Sequence, residues 1–440
     1  MFGFCGLLEA VRRDAFFGGN FWLVTFRYPD IPVEIALPDR LALRMLVRTF
    51  RPELMDRLVD RAERRERRRR LLPAQLMMYF ALAMWLFGTS SYEEVLAKLT
   101  GGLPELFDDV GNVATAAAIA RARMRLGVEP LKGLCAHVAA SAAQPGAERV
   151  FVLESVAMEA PDTPANRGAY EAFGAAYGEG AAGRQVVERT ARGRALDVWL
   201  VSLTECRLRL SAAAAVAAGP QAGIDSIVAD WQHDLLGAGA LVVGEQDAVP
   251  LAMWDVLAAA GAQQIWRVGG RGGAGRVLPV LRELPDGSYL SVLPQDGGTG
   301  GTGGTGGMDG TGSTDGVGAP EGTGGQVGQS AEGAAGRLVR VVPCRSAPET
   351  AVLVTSFLDE AVTAAEIAAR HRNVAEMCRS GVGAFVAQLA GMRVALRSKS
   401  PELVQQEIYA MLCMYHVVGH LMTPAYSADG IAAEAGDAVL

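Results

Sequence analysis

No two cysteines of the 440-residue sequence stand at C-x-x-C spacing. The six present, Cys5, Cys135, Cys206, Cys344, Cys378 and Cys413, are scattered along the chain. That excludes a zinc knuckle and a dense disulfide framework, and reduced thiols in a cytoplasm are the expectation. Aromatic residues are scarce, at 7%, but 50% of the residues are hydrophobic, enough for a core in two or three domains. An excess of positive charge is missing too: the net charge is −7, so only local basic clusters can serve a nucleic acid. A leader is not expected, because Met1–Leu8 is apolar without a basic start or a clean cleavage site. No stretch reads as a membrane span. The most apolar run, Leu71–Phe87, is shorter than the roughly 20 residues a span needs and contains Pro73 and Gln75, so a buried helix is expected. The Gly-Gly-Thr repeats of 297–336 lack the Lys-Ser/Thr of a phosphate loop and read as a flexible loop that cannot offset its chain entropy.

What is present falls into two halves. Residues 1–40 contain a strand-like FWLVTFRY but are otherwise hard to place, and stand as an N-terminal extension. Residues 41–140 read as helical. One helix opens at Pro52 and runs into six arginines, Arg64, Arg65, Arg67, Arg68, Arg69 and Arg70, interrupted only by Glu66. Ser90-Ser91 followed by Glu93-Glu94 caps another, and a third, 114–126, carries Arg121, Arg123 and Arg125 before Gly127. The arginine run is either a solvated helix face or a set of phosphate contacts, and its density favours phosphate.

From 149 the pattern turns α/β. Val150–Leu153 is a short buried strand that delivers Glu154 into a loop. Strands follow at 194–206, 208–218 and 240–244, the last ending at Glu245, and another at 264–268, with helices at 224–236 and 250–260. A Pro-Asp-Gly turn marks a hairpin in 277–293, strands resume at 337–343 and 351–357, and two helices, 364–389 and 401–421, close the fold. Residues 423–440 read as a tail. His416 and His420 at i, i+4 read as core or surface histidines rather than a zinc pair.

The loop Pro161-Asp162-Thr163-Pro164-Ala165-Asn166-Arg167 and the segment 396–409, with its Arg397-Ser398-Lys399-Ser400-Pro401-Glu402-Leu403, resemble the IS4-family transposases, especially their actinobacterial branch. The order of basic helix, LLPA helix, SYEEV and A-R-x-R-L-G resembles the N-terminal domain of the same proteins. The resemblance implies a fold class and a domain plan. It is an all-α DNA-binding domain over 41–140 and a ribonuclease-H-like α/β domain over 149–268 and 359–422, with a β-rich insertion over 269–358. It also implies double-stranded DNA as partner, a cytoplasmic protein, no membrane, room for a homodimer on DNA, and Mg²⁺ or Mn²⁺ as cofactor if the protein is active.

Transposases of this class hold two Mg²⁺ ions with three carboxylates: Asp on the first strand, Asp on the fourth, and Glu on a late helix. Here those positions hold Glu154, Glu245 and Cys378. In that register His371 stands at the family's Tyr and Val374 at its Arg. A shifted register would use Arg372 and Glu376 instead. Asp→Glu moves a carboxylate by more than an ångström, where catalytic sites tolerate about 0.5 Å. A thiol is a soft ligand poorly suited to Mg²⁺. Glu154 and Glu245 are therefore the remaining metal ligands, and a degenerate strand-transfer site is expected. The rival expectation is a non-catalytic DNA-binding protein, such as a repressor, on the same scaffold.

Overall fold

The computed structural model describes residues 36–68, 70–107, 114–141, 149–171, 195–207, 209–231, 236, 239–246, 249–269, 278–294, 336–344, 351–377, 381–390 and 395–422. The Gly-rich loop, the tail and most of the N-terminal extension lie outside them.

The helical half comprises α1 (Leu37–Thr49), α2 (Pro52–Arg61), α3 (Ala74–Leu86), α4 (Tyr92–Gly102), α5 (Pro104–Phe107), α6 (Ala116–Leu126) and α7 (Glu129–Ser141). Local chemistry sets the boundaries. Ser91 and Glu94 form a reciprocal capping box on α4, and Thr115 caps α6. Gly127 ends α6 at φ +69°, a left-handed conformation that favours glycine. The most apolar run of the sequence forms α3, whose residues from Leu76 to Ala83 are fully buried. No helix among the described residues is long and apolar enough to cross a membrane.

One expectation fails here. The helix opened by Pro52 stops at Arg61, so the arginine run is not helical but lies in the connection to α3. Arginines at adjacent turns of one helix would repel. The chain instead turns at Glu63, with φ +55°. Glu66, the one acid in the run, accepts the Ala74 N–H at 3.1 Å and so serves the start of α3.

The α/β half is built on one mixed nine-stranded sheet of order β3-β2-β1-β4-β5-β9-β8-β7-β6. The strands are β1 (Val150–Pro161), β2 (Ala195–Glu205), β3 (Leu210–Ala217), β4 (Leu241–Gln246), β5 (Gln263–Val268), β6 (Arg282–Glu283), β7 (Tyr289–Pro294), β8 (Gly336–Pro343) and β9 (Val352–Thr355). The first three form an antiparallel meander, with the short helix α8 (Pro164–Tyr170) after β1, and β4 and β5 add parallel to β1. The segment expected as an insertion continues the same sheet, because β9 pairs antiparallel with β5, Ile265 opposite Thr355. One face is covered by α9 (Pro220–Ala229) and α10 (Leu251–Ala259), around Phe151, Val201, Trp254 and Trp266. The α9 approach is close: a Cβ on Gly223 would lie 2.9 Å from that of Val201. The opposite face carries α11 (Ala364–Met377), α12 (Val382–Ala390) and α13 (Pro401–Met422). The single helix expected over 364–389 is thus two, and α12 starts at the Gly381-Val382-Gly383 step.

The halves share a core. Leu76, Tyr79 and Leu99 from the helical half cluster with Val404, Ile408 and Leu412 of α13 and with Met158 of β1. Met158 is available because β1 runs on to Pro161, past the predicted end at 154. Its parallel partner β4 is left behind after Leu153 and Gly244, while β2 stays paired up to Pro161.

Candidate functional site

Glu154 therefore lies in mid-strand, one residue beyond the last pair that β1 shares with β4. Its side chain is largely buried against the start of α12. The Val382 N–H donates to Oε2 at 3.0 Å, and a Cβ on Gly381 would come within 2.7 Å of that oxygen. A side chain at 381 would displace the carboxyl from this position at the helix N-terminus. Burial pushes the Glu154 carboxyl up to about 7, against the lowering effect of the Val382 and Gly383 N–H groups.

Glu245 lies on β4 in register with Arg267 of β5 and forms an ion pair with it. Its side chain is exposed. Cys378 lies outside the described residues, three positions before Gly381. Glu376, the alternative third acid, is exposed near the end of α11.

These groups do not fit a Mg²⁺ centre. Mg²⁺ demands near-octahedral oxygens at about 2.0–2.1 Å. Glu154 caps a helix and is pushed up to about 7 by burial, Glu245 faces a guanidinium, and Glu376 lies exposed near the end of α11. No group of three His, Cys, Asp or Glu among the described residues could hold a metal ion. His416 is a core residue whose Nε2 accepts the Ser211 N–H at 2.9 Å.

The basic residues fare differently from one another. Arg65 is occupied by Asp60 and Asp56. Arg64 lies over Gly127, where a Cβ would meet its guanidinium at 3.2 Å. Arg67, Arg68 and Arg70 are exposed, as is Arg121 on α6, and Arg69 lies outside the described residues. Arg125 donates to the Leu72 carbonyl at 3.3 Å. Arg64 and Arg125 thus bring the arginine run and the α6 arginines to one surface, which spacing alone did not show.

Arg123 leaves that set. It is fully buried and donates to Gln406 Oε1 (3.3 Å), Tyr92 OH (3.0 Å), Ser398 Oγ (3.3 Å) and the Leu403 carbonyl (3.1 Å). On a helix whose other face packs on α3 and α13, an arginine two residues from Arg121 and from Arg125 points inward. It is a tether between halves, not a phosphate contact.

The two stretches that carried the resemblance meet beside it. Thr163 Oγ1 donates to the Lys399 carbonyl at 2.9 Å, and buried Asn166 donates to the Ser398 carbonyl at 3.2 Å. Glu407 accepts from the N–H groups of Arg397 and Ser398. Arg397 then reaches the Ser90 carbonyl at 2.7 Å. The matching letters form a structural junction between loop, last helix and helical half.

Comparison with known families gives one match. Residues 40–136, the span of helices α1–α7, match the family described as insertion element 4 transposase N-terminal. No curated protein matches the chain. Residues 40–136 are thus similar to the N-terminal domain of insertion element 4 transposases, a match that supports an IS4-family transposase.

Proposed function

We propose that this chain is a transposase by descent that binds double-stranded DNA through the helical half but no longer assembles a strand-transfer site. The observation that carries this is Glu154. The group at the first metal-ligand position is turned onto the N-terminus of α12 and titrates near neutrality. The sheet order β3-β2-β1-β4-β5, with the first three antiparallel and the next two parallel to β1, supports a ribonuclease-H-like core. A second reading, a non-catalytic DNA-binding protein such as a repressor of related elements, is favoured by the exposed Arg67, Arg68, Arg70 and Arg121 beside a disfavoured metal site.

Nicking of DNA carrying the gene's own flanks separates the outcomes. With Mg²⁺ or Mn²⁺, wild type is expected to nick no faster than Glu245→Ala. Nicking that Glu245→Ala abolishes would restore a working site. A Glu154→Asp, Glu245→Asp, Cys378→Glu triple that alone cleaves would show that only the ligands were lost.

DNA binding is a separate test. Replacing Arg67, Arg68, Arg70 and Arg121 by Gln is expected to weaken binding to duplex DNA about tenfold or more at low salt. The slope of log K against log salt should flatten by about 0.9 for each phosphate contact removed. An unchanged slope would move the interface elsewhere.

A further inference from the structure

Under α11 the extended sheet leaves a cavity of about 710 Å³, within the roughly 300–1,000 Å³ of small-molecule sites. Ala364, Ala368 and His371, spaced i, i+4, i+7, bring one face of α11 to it, opposite Leu353 of β9. The polar wall is basic. Arg267 reaches in from β5, and His371 and Arg372 from α11.

The charges around this wall are unequally satisfied. Asp286, in the β6–β7 turn, also lines the cavity but is engaged elsewhere. It takes hydrogen bonds from Ser288 and from the Ala364 N–H at 2.6 Å, and it pairs with buried Arg340. Burial pushes its carboxyl up, but these partners outweigh that and hold it at about 2. Arg267 is matched by Glu245. Arg372 has no carboxylate partner, and the His371 imidazole no hydrogen-bond partner, among the described residues. Burial first, then the charges of Arg267 and Arg372, push His371 below its usual value. Cys344 adds a thiol at the cavity, raised by its own burial against the pull of the same two arginines. An imidazole left neutral beside two guanidiniums becomes a further charged donor once an anion arrives.

We propose that this cavity binds a small phosphate monoester, its dianion held by Arg267, His371 and Arg372 and its organic body lying on Leu353 and Ala368. Guanidinium forks suit the oxygens of a phosphate, and the apolar wall opposite suits a ring. The site is distinct from the arginine surface of the helical half and does not depend on DNA binding or cleavage.

The test uses the full chain with isotope-labelled histidines, the His371 resonance being assigned by its loss in His371→Gln. Inorganic phosphate and adenosine 5′-monophosphate are titrated in, with sulfate at matched ionic strength as control. Both phosphates are expected to raise the pH at which His371 titrates, the nucleotide at about tenfold lower concentration because its ring adds apolar contact. Arg372→Gln, on an exposed side chain that leaves thermal stability unchanged, is expected to weaken the nucleotide about tenfold or more. No movement of His371 at millimolar phosphate or nucleotide would overturn the proposal, as would equal affinity in Arg372→Gln or an equal response to sulfate. A duplex DNA that moves His371 when the nucleotide does not would also overturn it, and would make the cavity part of a nucleic-acid surface.

Discussion

Arg123→Ala is expected to lower the stability of the whole chain by about 3–5 kcal/mol, measured as the shift in the urea unfolding transition. The side chain is fully buried, so its removal leaves both a void and stranded acceptors on Gln406, Ser398 and the Leu403 carbonyl. Charge-assisted hydrogen bonds contribute about 1.5–3 kcal/mol each when broken one-sidedly, and they do not add in full. Gln406 is tied from both sides, since its amide donates to the Arg123 carbonyl at 2.6 Å and to that of Gly127 at 2.8 Å. Arg123→Met refills the volume without the donors and separates the two contributions. It should recover the cavity share and no more. Arg123→Lys keeps the charge but cannot fan to three directions, and should fall between. A loss under about 1 kcal/mol for Arg123→Ala would mean that α6 is held to α13 by apolar packing alone. Arg121→Ala, one turn-face away and exposed, is the control and should change stability by no more than about 0.5 kcal/mol.

Arg123 also shows where the sequence was legible and where it was not. The apolar runs Val150–Leu153 and 240–244 marked buried strands, and Ser91 with Glu94 marked a helix start, because both signals are local. The turn at Pro285-Asp286-Gly287 was equally plain, with Gly287 at φ +82°. Three arginines at alternate positions of one helix, by contrast, must point in different directions, and which one enters the core depends on α13, almost three hundred residues further on. The end of β1 was misjudged for a similar reason. Glu154 is the first polar residue after an apolar run, but the strand is extended by β2 and by the contact of Met158 with the helical core, neither of which is local. The break between α11 and α12 was missed by the expectation of one helix over 364–389, although Gly381 and Gly383 carried a local signal for it. That Gly381 also makes room for the Glu154 carboxyl was legible only in three dimensions. The same holds for the cavity. His371 and Arg372 drew notice through the expected register of a catalytic helix, while Arg267 carried no signal until β5 took its place next to β4.

The carboxyl of Glu154 yields the second large effect, read as a pH profile. Its ordinary value is 4.5 and burial raises it to about 7 in the folded chain. Between those two pH values the unfolded chain has lost this proton and the folded chain still holds it. Folded stability from this group is therefore complete below pH 4.5, falls as pH rises towards 7, and is gone above it. At about 1.4 kcal/mol per tenfold, the span corresponds to about 3 kcal/mol. Glu154→Gln keeps an oxygen for the Val382 N–H and removes the titration. The stability difference between Glu154→Gln and wild type should therefore swing by about 3 kcal/mol in favour of the variant from pH 4.5 to 8, every other titration cancelling between them. Parallel profiles would show that the carboxyl is well solvated and that its cap on α12 is weak. The same experiment bears on function. A carboxylate that binds a divalent cation gives up its proton readily, so Mg²⁺ at saturating concentration would flatten the wild-type profile if Glu154 were still a ligand. With the carboxyl held on the N-terminus of α12, the profile is expected to be the same with Mg²⁺ as without it.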